Sequence, residues 1–166
     1  MTGFLSETSC ITLRVGDAIC EVWPESGGSI GRWAIGGQEM FHRASSAVRE
    51  QGPPLSMATF PLVPYSNRIG FGRFNWGGRK HQLATNFAPE PHATHGTGWT
   101  AKWDVEHPSS EALILRYRHQ ADKDWPWPFE AKQQIALSSA MLTLHLSARN
   151  LADQIAPLAF GYHPFL

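Results

Sequence analysis

Charge is what this chain has little of. Asp, Glu, Lys and Arg make up 17% of its 166 residues, and 14 basic side chains offset 14 acidic ones. With no net field to draw it toward phosphate backbones or anionic lipid, the composition argues against nucleic-acid and membrane partners. Cysteine is nearly absent, with Cys10 and Cys20 alone. They fall on consecutive predicted strands that could face each other, but two thiols without a secretory leader fit buried cysteines in a reducing compartment better than a disulfide framework. The opening MTGFLSETSC has no basic n-region and no apolar h-region, and no later apolar run approaches the length that spans a bilayer. The expectation is a soluble cytoplasmic protein. Sustained 3.6-residue periodicity is missing too, apart from a possible helical turn within 45–51. No internal repeat, low-complexity tract or linker divides the chain, which predicts one domain over 1–166.

Short alternating runs between turn residues are abundant. Ile11, Leu13 and Val15 alternate with polar neighbours, and Ala18 to Trp23 repeats the pattern after Gly16 and Asp17, which predicts an opening hairpin. PESGG (24–28) breaks the chain before a strand at 29–35, and Gly36-Gly37 precedes another at 38–42. Residues 44–54 are polar and end in Pro53-Pro54, so they are expected to form a loop. Strands at 100–106 and 112–119 flank Pro108, Ser109 and Ser110, and strands at 129–137 and 141–149 flank Ser138, Ser139 and Ala140. In the last strand Leu142, Leu144, Leu146 and Ala148 share one face, expected in the core, and Thr143, His145, Ser147 and Arg149 the other, expected in water. Many short strands with frequent Gly and Pro turns, in a chain that is 42% hydrophobic, predict an all-β antiparallel sandwich or barrel with meander connections.

Candidate chemistry concentrates in three segments. FPLVPYSNRIGFGRF (60–74) holds Asn67 and Arg68 between prolines and glycines; an amide beside a guanidinium supplies several donors and one acceptor, suited to a ligand covered in hydroxyls. The bland alternative is that Arg68 pairs with a carboxylate or caps a loop carbonyl. NFAPEPHATHGTGW (86–99) is too long and too Pro-rich for a hairpin turn, and long loops on β frameworks are where function usually sits. His95 closes it, flanked by Gly96 and Gly98, which permit close backbone approach; the alternative is a satisfied structural histidine. GYHPF (161–165) puts His163 before Pro164, an extended setting, after an apolar run from Ile155 to Tyr162 expected to be buried. An imidazole is the side chain whose ordinary pKa lies nearest neutrality, so proton transfer is the chemistry implied. His81, His92 and His95 lack a helical arrangement that would align them and lack a clear third ligand, so no metal site is expected. Trp99, Trp103, Trp125, Trp127 and Phe129 are expected mostly in the core.

At PLVPYSNRIGFGRF, HGTGW followed by TAKWDV, and GYHPF, with WPWPFEA in support, the chain resembles the aldose 1-epimerase (galactose mutarotase-like) family. The resemblance implies a large antiparallel β-sandwich binding a sugar in an open cleft and interconverting α and β anomers of a small-molecule aldose without cofactor or metal. By motif position His163 corresponds to the general acid, His95 to a second imidazole near the ring oxygen, and Arg68, with Asn67, to hydroxyl-binding residues. The family's general base, a glutamate, and a sugar-binding aspartate lie beyond the histidine motif, and this sequence stops at Leu166. The expectation is therefore an N-terminal portion of such a sandwich, inactive alone. A non-catalytic carbohydrate-binding module, a purely structural β domain, and a hexose-6-phosphate mutarotase using Arg32, Arg43, Arg68, Arg73 or Arg79 stand as alternatives. Oligomeric state is not legible.

Overall fold

The computed structural model describes residues 10–45, 54–106 and 109–166. Most of the expected 44–54 loop, the expected helical turn within 45–51, and Pro108 of the 108–110 turn lie outside them. Two antiparallel sheets dominate what is described. The first runs in the order β1 (Ile11–Val15), β2 (Ala18–Trp23), β3 (Ser29–Ile35), β5 (Thr59–Leu62) and β14 (Gly161–Pro164), with β4 (Gln38–Glu39) paired to β3. The second is a meander of β10 (Asp104–Glu106), β11 (Ala112–His119), β12 (Phe129–Leu137) and β13 (Leu142–Asn150). A short ladder joins β6 (Arg68–Ile69) to β9 (Ala93–Thr94), and β7 (Arg73–Trp76) pairs with β8 (Arg79–Gln82).

The core lies between the two main sheets. Leu13, Cys20, Val22 and Ile30 from the first meet Leu113, Leu115, Phe129, Ala131 and Ile135 from the second, joined by Trp103, Trp125 and Trp127. The period of two that marked these strands in the sequence is the period of their burial: along β12, Phe129, Ala131, Gln133, Ile135 and Leu137 point inward while their neighbours are partly or fully exposed. Gln133 is the polar member of that row, fully buried. Its Nε2 donates to the Gly28 carbonyl at 3.1 Å and its Oε1 accepts from the Tyr162 hydroxyl at 3.2 Å. A buried amide left without partners costs about 1–3 kcal/mol; with them it ties β12 to the turn before β3 and to β14.

Four expectations change. The strand expected at 38–42 is confined to Gln38–Glu39. The one expected at 100–106 begins only at Asp104, because Gly98–Thr100 coils into a 3-10 turn and the Trp103 N–H bonds to the Pro24 carbonyl rather than to a neighbouring strand. The run from Ile155 to Tyr162 is not buried: Ile155 is 83% and Phe160 41% exposed. The apolar face of β13 is half-buried rather than enclosed. Cys10 is exposed, Cys20 is buried opposite Leu13 of β1, and the two form no disulfide. Trp99, Trp103, Trp125, Trp127 and Phe129 are all buried as expected, and no helix among the described residues is long and apolar enough to cross a membrane.

Candidate functional site

The site grows from three segments that meet beside β5. Successive side chains of a strand point to opposite faces, so on β14 Tyr162 turns inward to Gln133 while His163 takes the other face, directly across from Phe60 of β5. The rings of His163 and Phe60 stack at 5.1 Å and 13°. Phe165 lies 4.7 Å from the same imidazole, and buried Phe60, Leu62 and Trp99 form a small apolar cluster on this face.

Beyond β5 the chain passes through Val63 and reaches Asn67 and Arg68. Val63 anchors the histidine-glycine motif: its carbonyl accepts from the N–H groups of Thr97 at 3.0 Å and Gly98 at 2.9 Å. Gly96 is required there, because a Cβ on it would fall 2.4 Å from the Val63 carbonyl oxygen and its φ is +75°. Trp99 and Trp103 turn their indole N–H groups back onto the carbonyls of Gly96 and Gly98, which explains why tryptophans follow this motif and why the chain coils instead of continuing as a strand.

Asn67 and His95 are locked together. The His95 N–H donates to the Asn67 carbonyl at 2.9 Å, and the Asn67 N–H donates to His95 Nδ1 at 3.1 Å. Both residues are left-handed, at φ 61° and 60°, a conformation that persists in non-glycine residues only when the surroundings impose it. With Nδ1 accepting, the neutral ring carries its hydrogen on Nε2, and Nε2 has no hydrogen-bond partner among the described residues. Burial, followed by the nearby charges of His163 and Arg68, holds the His95 pKa down at about 4. The two imidazoles meet edge to face at 5.8 Å and 77°.

Arg68 projects from β6 and forms an ion pair with Glu90 at 3.2 Å, both side chains being well exposed. The carboxylate-paired role is thus one the guanidinium does play, at the rim of the cavity it also lines. That cavity, of about 380 Å³, is bounded by Leu55, Leu62 and Phe87 and by the polar Ser66, Asn67, Arg68, Thr94, His95 and His163. All four residues singled out from the sequence therefore border one hollow. Three larger hollows include none of the four: two, of about 470 and 480 Å³, flank the β7–β8 hairpin, and one of about 490 Å³ lies beside the β1–β2 turn. His81 stacks on Phe74 and the His92 Nδ1 accepts from the Phe71 N–H, and no group of three His, Cys, Asp or Glu among the described residues is placed to hold a metal ion.

Sequence reasoning passed over Asn86, whose carboxamide bonds to Thr94 and Gly96 on either side of His95. The signal was present, since an Asn in a Pro-rich loop is a residue type that satisfies backbone groups locally. Gln133 gave no signal beyond being polar in an inward-facing row.

A family model described as aldose 1-epimerase matches residues 9–166. The chain is 33% identical over 131 residues to the uncharacterized protein YphB of Escherichia coli K12, covering 76% of this chain and 44% of that protein. To the uncharacterized YihR of the same organism it is 24% identical, covering 68% and 37%. Among solved structures it is similar to the Escherichia coli K12 protein b2544, described provisionally as an aldose 1-epimerase, with a TM-score of 0.85 at 29% identity over 94% of this chain and 51% of that one. A galactose mutarotase-like protein from Clostridium acetobutylicum shares the fold, with a TM-score of 0.81 at 22% identity over 98% and 52%. The chain spans half or less of the length of the curated relatives and about half of these solved chains.

Proposed function

The chain belongs to the aldose 1-epimerase family, and from that membership we propose that its cavity binds a free aldohexose and serves the interconversion of α and β anomers. One observation carries the reading: Asn67, Arg68, His95 and His163, drawn from separate segments, border a single cavity of about 380 Å³, a size within the usual range for small-molecule sites. In this reading His163, as an imidazolium, delivers a proton to the ring oxygen O5. A base takes the O1 proton, the C1–O5 bond breaks to give the open aldehyde, rotation about C1–C2 follows, and reclosure yields the other anomer. Each well-placed proton-transfer group is worth about 10² to 10⁴ in rate. His95, neutral with its hydrogen on Nε2, donates to an oxygen near O5, and its neutrality leaves the positive charge to His163. Arg68 and Asn67 hold hydroxyls.

Among the described residues no carboxylate lines the cavity, and Glu90 is engaged by Arg68. The reading therefore assigns the acid half of the chemistry to residues 1–166 and seeks the base outside this lining. The same observation favours a second reading, binding without catalysis. The Arg68–Glu90 pair weighs against a phosphorylated hexose, because the carboxylate already offsets the guanidinium charge.

Polarimetry of glucose and galactose, run beside a binding titration that includes glucose 6-phosphate, tests these. Residues 1–166 are expected to bind a free aldose saturably, more tightly than its phosphate, without exchange above the buffer rate. A chain of the relatives' full length is expected to accelerate exchange and to lose this in His163→Ala. Absence of aldose binding would sink the proposal; binding without exchange at full length would establish the second reading.

A further inference from the structure

We propose that Asn86 is a positioning residue for the His95 imidazole, acting by clamping the backbone on both sides of it. Its Nδ2 donates to the carbonyls of Thr94 at 2.7 Å and Gly96 at 3.1 Å, and its Oδ1 accepts from the Thr94 N–H at 2.7 Å. Residue 95 needs such a clamp. It sits at φ 60° opposite Asn67 at φ 61°, where a residue with a β-carbon stays only if its neighbours hold it. The β6–β9 ladder ends at the Arg68–Thr94 pair, one residue short of the histidine. A planar carboxamide with donors on one side and an acceptor on the other can take both the N–H and the carbonyls of this turn at once, which neither a carboxylate nor a hydroxyl can do.

The consequence lies in the ring. Were residue 95 to relax to negative φ, the imidazole would swing with its Cα–Cβ bond and Nδ1 would leave the Asn67 N–H, now 3.1 Å away. Nothing would then select which nitrogen carries the hydrogen in the neutral ring. Asn86 is not among the residues lining the cavity, so any effect on the ligand must pass through His95. The inference rests on the reading that His95 donates from Nε2 to a sugar oxygen.

The test is long-range proton–nitrogen NMR of the His95 ring in the ligand-free chain, for wild type, Asn86→Ala, Asn86→Asp and the core control Ile135→Val, with thermal denaturation and aldose titration alongside. Wild type and Ile135→Val are expected to show one neutral tautomer, hydrogen on Nε2. Asn86→Ala is expected to show both tautomers, a titration midpoint raised by about one pH unit or more toward the ordinary imidazole value, and aldose affinity reduced about tenfold. Asn86→Asp keeps the acceptor for the Thr94 N–H and loses both donated bonds, so it too is expected to mix tautomers. If Asn86→Ala does not fold, Asn86→Asp is read by the same criterion. A single unchanged tautomer in a variant that has lost thermal stability would overturn the inference, leaving Asn86 as loop packing. Because the ring is observed without sugar, failure of wild type to bind any aldose would strike the proposed function and not the clamp.

Discussion

Lowering the pH should withdraw stability through one side chain. Burial, then His163 and Arg68, hold His95 at about 4 in the folded chain against an ordinary value of 6.5. Above pH 6.5 the ring is neutral in both folded and unfolded chains and the shift contributes nothing. Between 6.5 and 4 the unfolded chain takes up a proton that the folded chain refuses, so the unfolded state binds more protons and stability falls as pH falls. At about 1.4 kcal/mol per pH unit this interval corresponds to about 3 kcal/mol, all of it lost by pH 4 and none of it regained below. The comparison to make is urea denaturation of wild type and His95→Gln from pH 8 to 4, in which the other titrating groups cancel to first order. The wild-type curve should fall more steeply below pH 6.5, with the difference between the two growing to that amount. Superimposable curves, or a difference that opens above pH 7, would refute the reading that burial and the neighbouring charges hold this imidazole neutral.

Three further outcomes follow from the same geometry. Gln133→Leu strands the Tyr162 hydroxyl and the Gly28 carbonyl and should cost about 2 kcal/mol in chemical denaturation; a loss under about 0.5 kcal/mol would mean the tie is dispensable. Gly96→Ala places a Cβ 2.4 Å from a backbone oxygen at φ +75°, so a loss above about 3 kcal/mol or failure to fold is expected, and a stably folded variant with unchanged His95 resonances would contradict it. Arg68→Ala removes a solvent-exposed ion pair and should change stability by less than about 1 kcal/mol. In calorimetry the same variant should bind aldose about tenfold more weakly; undiminished affinity would remove Arg68 from the site.

The strands legible in the sequence are short runs framed by turn residues on both sides: β2, β3, β11 and β12 have the bounds expected, whether they carry one wet face, as β12 does, or are buried almost throughout, as β2 is. β5 was invisible because all four of its residues are buried, which erases the alternation, and because Pro61 argues against a strand interior. The β7–β8 hairpin was overlooked although Gly77-Gly78 between Trp76 and Arg79 is a strong two-residue turn, with φ of 57° and 72°; its strands are largely exposed and polar, so no hydrophobic pattern framed the turn. The run from Ile155 is apolar yet exposed, because apolarity does not report position. At the site, residue type and glycine context mark His95, His163, Arg68 and Asn67 as candidates with structural alternatives open, and the resemblance at three motifs is what gives them roles; the structure brings the four to one cavity. What arranges them was not legible, because it depends on bonds between residues distant in sequence: Asn67 to His95 across 28 positions, and Gln133 to Gly28 across 105.

Tyr162 and His163 are chain neighbours that serve opposite compartments, one plugged into the interior amide and the other facing the hollow. A rigid link of one peptide bond between them means that the spacing of the two sheets and the aim of the imidazole cannot be tuned separately. Repacking on the inward row of β12 that moves the Gln133 amide therefore acts on the strand that also carries His163. Improvements in thermal robustness sought through that row should accordingly be screened at the hollow as well as in melting, since the strand that carries Tyr162 also carries the imidazole that lines it.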